Sequence, residues 1–134
     1  CDRLGGPALR VLARAPLLAG VRALNLSNNP IGRDGCLALA ESPHLARLEV
    51  LFLHGCGLDD AAVEPLLRAP WLPGLKNLAL SDNALSRATI ARLADRRDLA
   101  LDELDICHNP FDPQDAEARL RAAPRLAGLR RLCV

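Results

Sequence analysis

Four side chains toward the C-terminal end invite a chemical reading first. Asp105, Cys107, His108 and Cys133 are a carboxylate, two thiols and an imidazole. These types ligate zinc, or pair a thiol nucleophile with a base. Their spacing argues against both. Cys107 and His108 are adjacent, so an extended chain turns them to different sides. The sequence holds neither Cys-x-x-Cys nor His-x-x-x-His. Gly5-Gly6 has no lysine after it and no strand before it, so it is not a phosphate loop. The expectation is no metal, no cofactor, no catalytic residue and therefore no enzyme.

Composition narrows the field further. The chain has 134 residues, half of them apolar, and only 2% aromatic. That is the size of one domain, with a core built from Leu, Ala, Ile and Val. A net charge of +1 gives no general attraction to nucleic acid or to a membrane surface. No apolar run approaches the roughly 18 residues of a membrane span. Five cysteines, an odd number without a disulfide-like spacing, point to a reducing compartment and so to a cytoplasmic location.

The elements that must position any site come from repetition. "VRALNLSNNPI" begins at Val21 and places Val21, Leu24, Leu26, Asn29 and Ile31 at fixed offsets. The same offsets return from Leu48 (Leu51, Leu53, Cys56, Leu58), Leu75 (Leu78, Leu80, Asn83, Leu85) and Leu101 (Leu104, Ile106, Asn109, Phe111). A cut copy, Leu129, Leu132 and Val134, ends the chain. With half the residues apolar, filling all these apolar positions by chance occurs about once in half a million trials. Between copies, Cys36, Val63, Ile90 and Ala116, then Leu39, Leu66 and Leu93, mark one face of a helix. "ESP", "RAP" and "AAP" stop those helices. Each copy thus predicts a short strand (about residues 22–27 in the first), a tight turn, a helix and a return. Such a unit cannot bury its own apolar face, so neighbours must stack. Asn29, Asn83 and Asn109 sit where the chain leaves the strand, where a buried amide satisfies turn backbone. Cys56 is a smaller substitute in that place, and Cys36 is a small buried apolar residue.

These residues resemble the leucine-rich repeat family, whose pattern is LxxLxLxxN/CxL. The 26–28-residue period, and "LNLSNNPIGRDGCLALAESPHL" in particular, are similar to its ribonuclease-inhibitor-like class. The resemblance implies an α/β solenoid, a right-handed βα horseshoe arc with a parallel sheet on the concave side and helices on the convex side. Residues 1–134 form one such domain. It comprises a partial repeat over 1–20, repeats starting near 21, 48, 75 and 101, and a truncated one over 129–134. The 26-residue step through "RRDLALDEL" should make an irregular return. Lacking methionine, and opening and closing inside a repeat, the chain is expected to be part of a longer protein, or to self-associate through its uncapped C-terminal end.

Residues between the core leucines then face outward. One row is Ala23, Val50, Asn77, Glu103 and Arg131; a second is Asn25, Phe52, Ala79, Asp105 and Cys133. A third is Ser27, His54, Ser81 and Cys107, with Asn28, Gly55, Asp82 and His108 at the rim. On this layout Cys107 and Cys133 stand about 8 Å apart at Cα, beyond disulfide reach. Phe52 is aromatic in a row otherwise polar or small, so it is either a contact residue or an idle exposed one. Trp71, after Pro70, is either a loop anchor or an exposed contact. The resemblance implies recognition of another protein, or of another domain of the parent chain, through the concave face. Candidate contact residues are Asn25, Val50, Phe52, His54, Asn77, Glu103 and Asp105. Two other uses of the family stay open: an architectural or regulatory arm without its own ligand, and the substrate-recognition part of an enzyme such as a ligase or GTPase activator. Finally, Arg22, Glu49, Lys76, Asp102 and Arg130 alternate in sign along one row and are expected to support strand register.

Overall fold

The computed structural model describes residues 4–134. Residues 1–3, the start of the expected partial repeat, lie outside the described part. Among the described residues, five α-helices and five strands alternate. The helices are α1 (Gly6–Leu12), α2 (Gly32–Ala40), α3 (Asp60–Leu67), α4 (Arg87–Asp95) and α5 (Pro113–Ala122). The strands are β1 (Ala23–Asn25), β2 (Val50–Phe52), β3 (Asn77–Ala79), β4 (Glu103–Asp105) and β5 (Arg131–Cys133). All pairings are parallel, and the strands lie in chain order, β1-β2-β3-β4-β5. The protein is therefore α/β with a five-stranded parallel sheet. No described helix is long and apolar enough to cross a membrane.

Each strand holds only three residues, because only its central leucine faces the core. Leu51, Leu78 and Leu104 are buried, while the residues on either side of each are half-exposed or exposed. Register pairs Leu24, Leu51, Leu78, Leu104 and Leu132 across the whole sheet. Leu53, Leu80 and Ile106 follow as a second buried layer, and Leu58 and Leu85 as a third. The helices contribute Cys36, Leu39, Val63, Leu66, Ile90, Leu93, Ala116 and Leu120, all buried. Burying a Leu, Ile or Val side chain stabilises by about 1.5–3 kcal/mol, so this continuous apolar layer is the main favourable term. Side-chain caps start three helices: Asp59 accepts from the Ala62 N–H, Ser86 from Ala88 and Asp112 from Asp115. Gly35 is needed where α1 meets α2, since an added Cβ would stand 2.8 Å from Leu9 Cδ1 and 2.9 Å from Ile31 Cβ.

Behind the sheet runs a polar layer made by the expected turn residues. Asn83 accepts from the backbone N–H groups of Cys56 and Leu58 and donates to the carbonyls of Leu53, Leu80 and Ser81. Asn109 repeats this toward Leu85, Leu80, Ile106 and Cys107. Asn29 accepts from the Leu4 N–H and donates to Leu26 and Ser27. Each asparagine thus reaches backbone of the preceding copy. Cys56 is only a weak substitute: its thiol donates to the Leu26 and His54 carbonyls, and its sulfur accepts weakly from the Asn28 and Asn29 N–H groups. The N–H it leaves without an acceptor, that of Ile31, closes instead on the Asn29 carbonyl at 2.8 Å. Phe111, which no turn asparagine among the described residues reaches, does the same with Asn109 at 2.9 Å.

The returns differ as the spacing predicted. Two returns carry 3-10 helices, Pro16–Gly20 and Leu72–Gly74, and those over 41–49 and 123–130 carry hydrogen-bonded turns, whereas residues 96–102 hold neither and only bend. Arg96 ties that segment down by donating to both Asp98 oxygens and to the Leu67 carbonyl. Trp71 is an anchor: it is 6% exposed, and its Nε1–H donates to the Leu39 carbonyl at 2.9 Å.

Candidate functional site

Strand geometry leaves the alternate positions on the open face of the sheet. Asn25, Phe52, Ala79, Asp105 and Cys133 stand in one register row, and Ala23, Val50, Asn77, Glu103 and Arg131 in the other. Phe52 is 38% exposed beside the small Ala79. The drop in side-chain height opens a hollow of about 450 Å³, walled by Phe52, Asn77, Glu103, Asp105, Arg131 and Cys133. Arg131 stands 3.7 Å from Glu103, so one acid of the pair is partly compensated. Of the residues expected on this face, Phe52, Asn77, Glu103 and Asp105 meet at the hollow. Asn25, Val50 and His54 lie off it, and Asn25 turns its Oδ1 to the Ser27 N–H. Larger clefts of about 590 and 600 Å³ lie on the helical side. They are grooves between neighbouring helices: the first is lined by Arg10, Arg14, Asp34, Leu37, Glu41 and Ser42, the second mostly by alanines and arginine stems.

A hydrogen-bonded chain runs along the C-terminal ends of the strands. Ser81 Oγ donates to Asp105 Oδ2 at 2.9 Å and lies 3.1 Å from His54 Nδ1. Asp82 Oδ2 stands 3.2 Å from His54 Nδ1 and 3.3 Å from His108 Nδ1. Serine, histidine and aspartate are together, but not as a nucleophilic relay. That chemistry needs the serine on one ring nitrogen and the carboxylate on the other. Here both partners meet His54 Nδ1, and the Ser81 proton points to Asp105. The linking roles of Ser81 and Asp82 were not anticipated. A signal did exist in the rim row: Asn28, Gly55, Asp82 and His108 all adopt positive φ, between 51° and 62°. Those four residue types tolerate the left-handed region best.

The cysteines fall into two classes. Burial, with a lesser contribution from nearby Cys56, pushes the Cys36 thiol up to about 12. Burial raises Cys56 as well. Both are neutral near pH 7 and poor nucleophiles. Cys107 and Cys133, by contrast, are joined in a disulfide, with Cα atoms 5.4 Å apart. This corrects the expected separation of about 8 Å. That figure assumed an extended chain continuing beyond Asp105. In fact β4 ends there, and the Cys107 N–H turns back onto Asp105 Oδ1 at 3.1 Å. The turn folds Cys107 over the end of β5. Asp105 joins the two sulfurs, and the three donor groups lie within 4.8 Å of one another. His108, the fourth residue of the set considered above, is held away on Asp82. On the helical side, Asp60 collects hydrogen bonds from the Ser86 N–H and hydroxyl and from the Thr89 hydroxyl. Burial pushes its carboxyl up, but these donors outweigh burial and hold it below the usual carboxylate value.

No protein-family model and no curated protein matches this chain.

Proposed function

We propose that the chain is a leucine-rich-repeat solenoid of the ribonuclease-inhibitor-like class, and that it binds another protein, or another domain of its parent chain, through the open, concave face of its sheet. The fold part of this reading is supported by five parallel strands in chain order, a helix between each pair, and asparagines that bond backward into the preceding copy. The single observation that carries the functional part is Phe52. It stands exposed over a hollow whose far wall holds Glu103 and Asp105. An apolar centre with a polar surround is the anatomy of an interface hot spot. The matching partner offers an apolar anchor beside a basic residue. The face is preformed, so little ordering cost is incurred on binding, and it performs no reaction. The expected cytoplasmic setting belongs to this reading only if the Cys107–Cys133 bond is reduced there, because that disulfide removes the cysteine argument on which the expectation rested.

The test pairs affinity with melting, using a partner recovered on the immobilised chain and then purified. Phe52→Ala should weaken binding by about 1–3 kcal/mol and leave the melting temperature nearly unchanged, because the ring lies outside the core. Glu103→Ala should weaken it less, and less still at high salt. Unchanged affinity in both variants removes this face as the binding surface and favours an architectural arm.

A further inference from the structure

We propose that Asp105, Cys107 and Cys133, once the disulfide is reduced, bind a thiophilic divalent cation of the zinc type at the rim of the sheet-face hollow. The proposal is independent of any protein partner. Asp105 and Cys133 are register partners on adjacent strands, and the turn after β4 brings Cys107 to them. In the disulfide form all three donor groups lie within 4.8 Å of one another, and the 5.4 Å between the Cys107 and Cys133 Cα atoms keeps the two side chains adjacent after reduction. Two thiolates and a carboxylate suit a borderline-soft ion that takes tetrahedral coordination, and they leave one position for water. The carboxylate is oriented before any ion arrives. Its Oδ1 accepts from the Cys107 N–H, and its Oδ2 from Ser81, itself only 5% exposed. Outer hydrogen bonds of this kind set the direction and basicity of metal ligands. Cys133 is exposed, and Asp105 and Cys107 half-exposed, so an ion can enter from solvent. Cys36 and Cys56 are buried and lie outside the group.

The same two sulfurs cannot hold a disulfide and a cation together, so redox state gates the site. A dithiol reductant opens it by thiol–disulfide exchange: the Cys107–Cys133 bond breaks, and the reductant's two sulfhydryls become a disulfide. The electron pair and two protons pass to the cysteines. Binding the cation then releases both protons, because thiolates are the ligands. A small-molecule disulfide reverses the sequence by the same exchange: it takes the electron pair and leaves as two thiols, the Cys107–Cys133 bond re-forms, and the ion is expelled.

The experiment uses the whole chain, reduced with a phosphine, which takes oxygen from water and leaves two thiols. The phosphine is then removed and Co²⁺ is titrated in as an optical stand-in for zinc. The expected result is a thiolate-to-cobalt charge-transfer band that saturates at a single equivalent, vanishes on adding Zn²⁺, and is absent from the oxidised protein. Cys133→Ser, at an exposed position, should abolish the band while circular dichroism stays unchanged. Ser81→Ala is a positioning variant: it should keep the band but weaken zinc affinity about 10–100-fold. No band in reduced protein whose two surface thiols titrate as free would overturn the proposal. So would a band that survives in the Cys107→Ser/Cys133→Ser double variant, since the ion would then sit on Cys36 and Cys56.

Discussion

The turn layer behind the strands and the open face in front of them use similar residue types to opposite ends. Behind, Asn83 is buried and spends its amide on five backbone groups, two of them donors from the preceding copy. In front, Asn77, His54 and Glu103 are half-exposed, and Asn25 is exposed; the polar bonds found there run mostly between side chains. A buried amide without partners is costly, so the rear layer tolerates few residue types. The front face has water as its alternative partner and is free to vary. Repetition therefore marks what holds the fold, and departures from it, such as Phe52 and the Cys107–Cys133 pair, mark where a function can be placed.

The largest effect should come from breaking the rear layer at its best-satisfied point. Asn83→Ala orphans the buried N–H groups of Cys56 and Leu58 and strips a donor from three carbonyls. The expected loss is about 3–5 kcal/mol of unfolding free energy by urea denaturation. Cys56→Ala, at the equivalent place in the preceding copy, should cost only about 1–2 kcal/mol, because the neighbouring Ile31 N–H already bonds elsewhere. Equal losses in the two variants would mean that the asparagine bonds contribute no more than the filling of space.

How far the sequence could be read follows the same division. The leucine template located the buried layers, including Leu51, Leu78 and Leu104, because an apolar residue at a fixed offset has one physical solution in a stacked structure. The turn asparagines were legible for the same reason. Strand length was overread: about six residues were expected in the first copy, and three are paired. The ends of each copy satisfy their backbone by turns and side chains instead. Cys107 and Cys133 were separated by treating the chain as straight beyond Asp105, which ignored the turn made by that carboxylate. Asp60 was invisible, since the equivalent positions carry Arg33 and Arg87 and a period cannot announce a residue that occurs once. Trp71 could not be decided from type alone; the Leu39 carbonyl settles it.

Asp60 offers an intermediate test, because it is a charged residue placed as if it belonged to the rear layer. Its oxygens hold Ser86 and Thr89 and so link the starts of α3 and α4. Asp60→Ala should cost about 1–3 kcal/mol. The acid dependence has a definite sign. The folded-state value lies below the unfolded one, so the ionised carboxylate contributes stability that is fully present above the unfolded value, near pH 4. That contribution fades as pH falls through the lower, folded value. Urea midpoints measured down an acid series should therefore drop more steeply in the parent than in Asp60→Asn. Parallel curves would show that the three donors hold the side chain in place without favouring its charge.

The smallest effect is expected from the alternating charges at the strand entrances. Glu49 lies 3.1 Å from Arg22, and Asp102 lies 3.9 Å from Arg130, but Lys76 forms no ion pair among the described residues. The ladder is thus realised at its two ends and open in the middle. Arg22 is 70% exposed and Glu49 45%, so water and salt screen the attraction. Register is already held by backbone: Arg22 O accepts from both Glu49 N and Val50 N, at 2.8 and 2.9 Å. Glu49→Lys places three positive charges in succession along the row and should lower stability by only about 0.2–1 kcal/mol at low salt, with the loss shrinking as salt is added. A larger, salt-independent loss would mean that Glu49 acts through packing rather than charge. No loss at low salt would mean that the alternation has no part in register, leaving the backbone bonds and the leucine row to fix it alone.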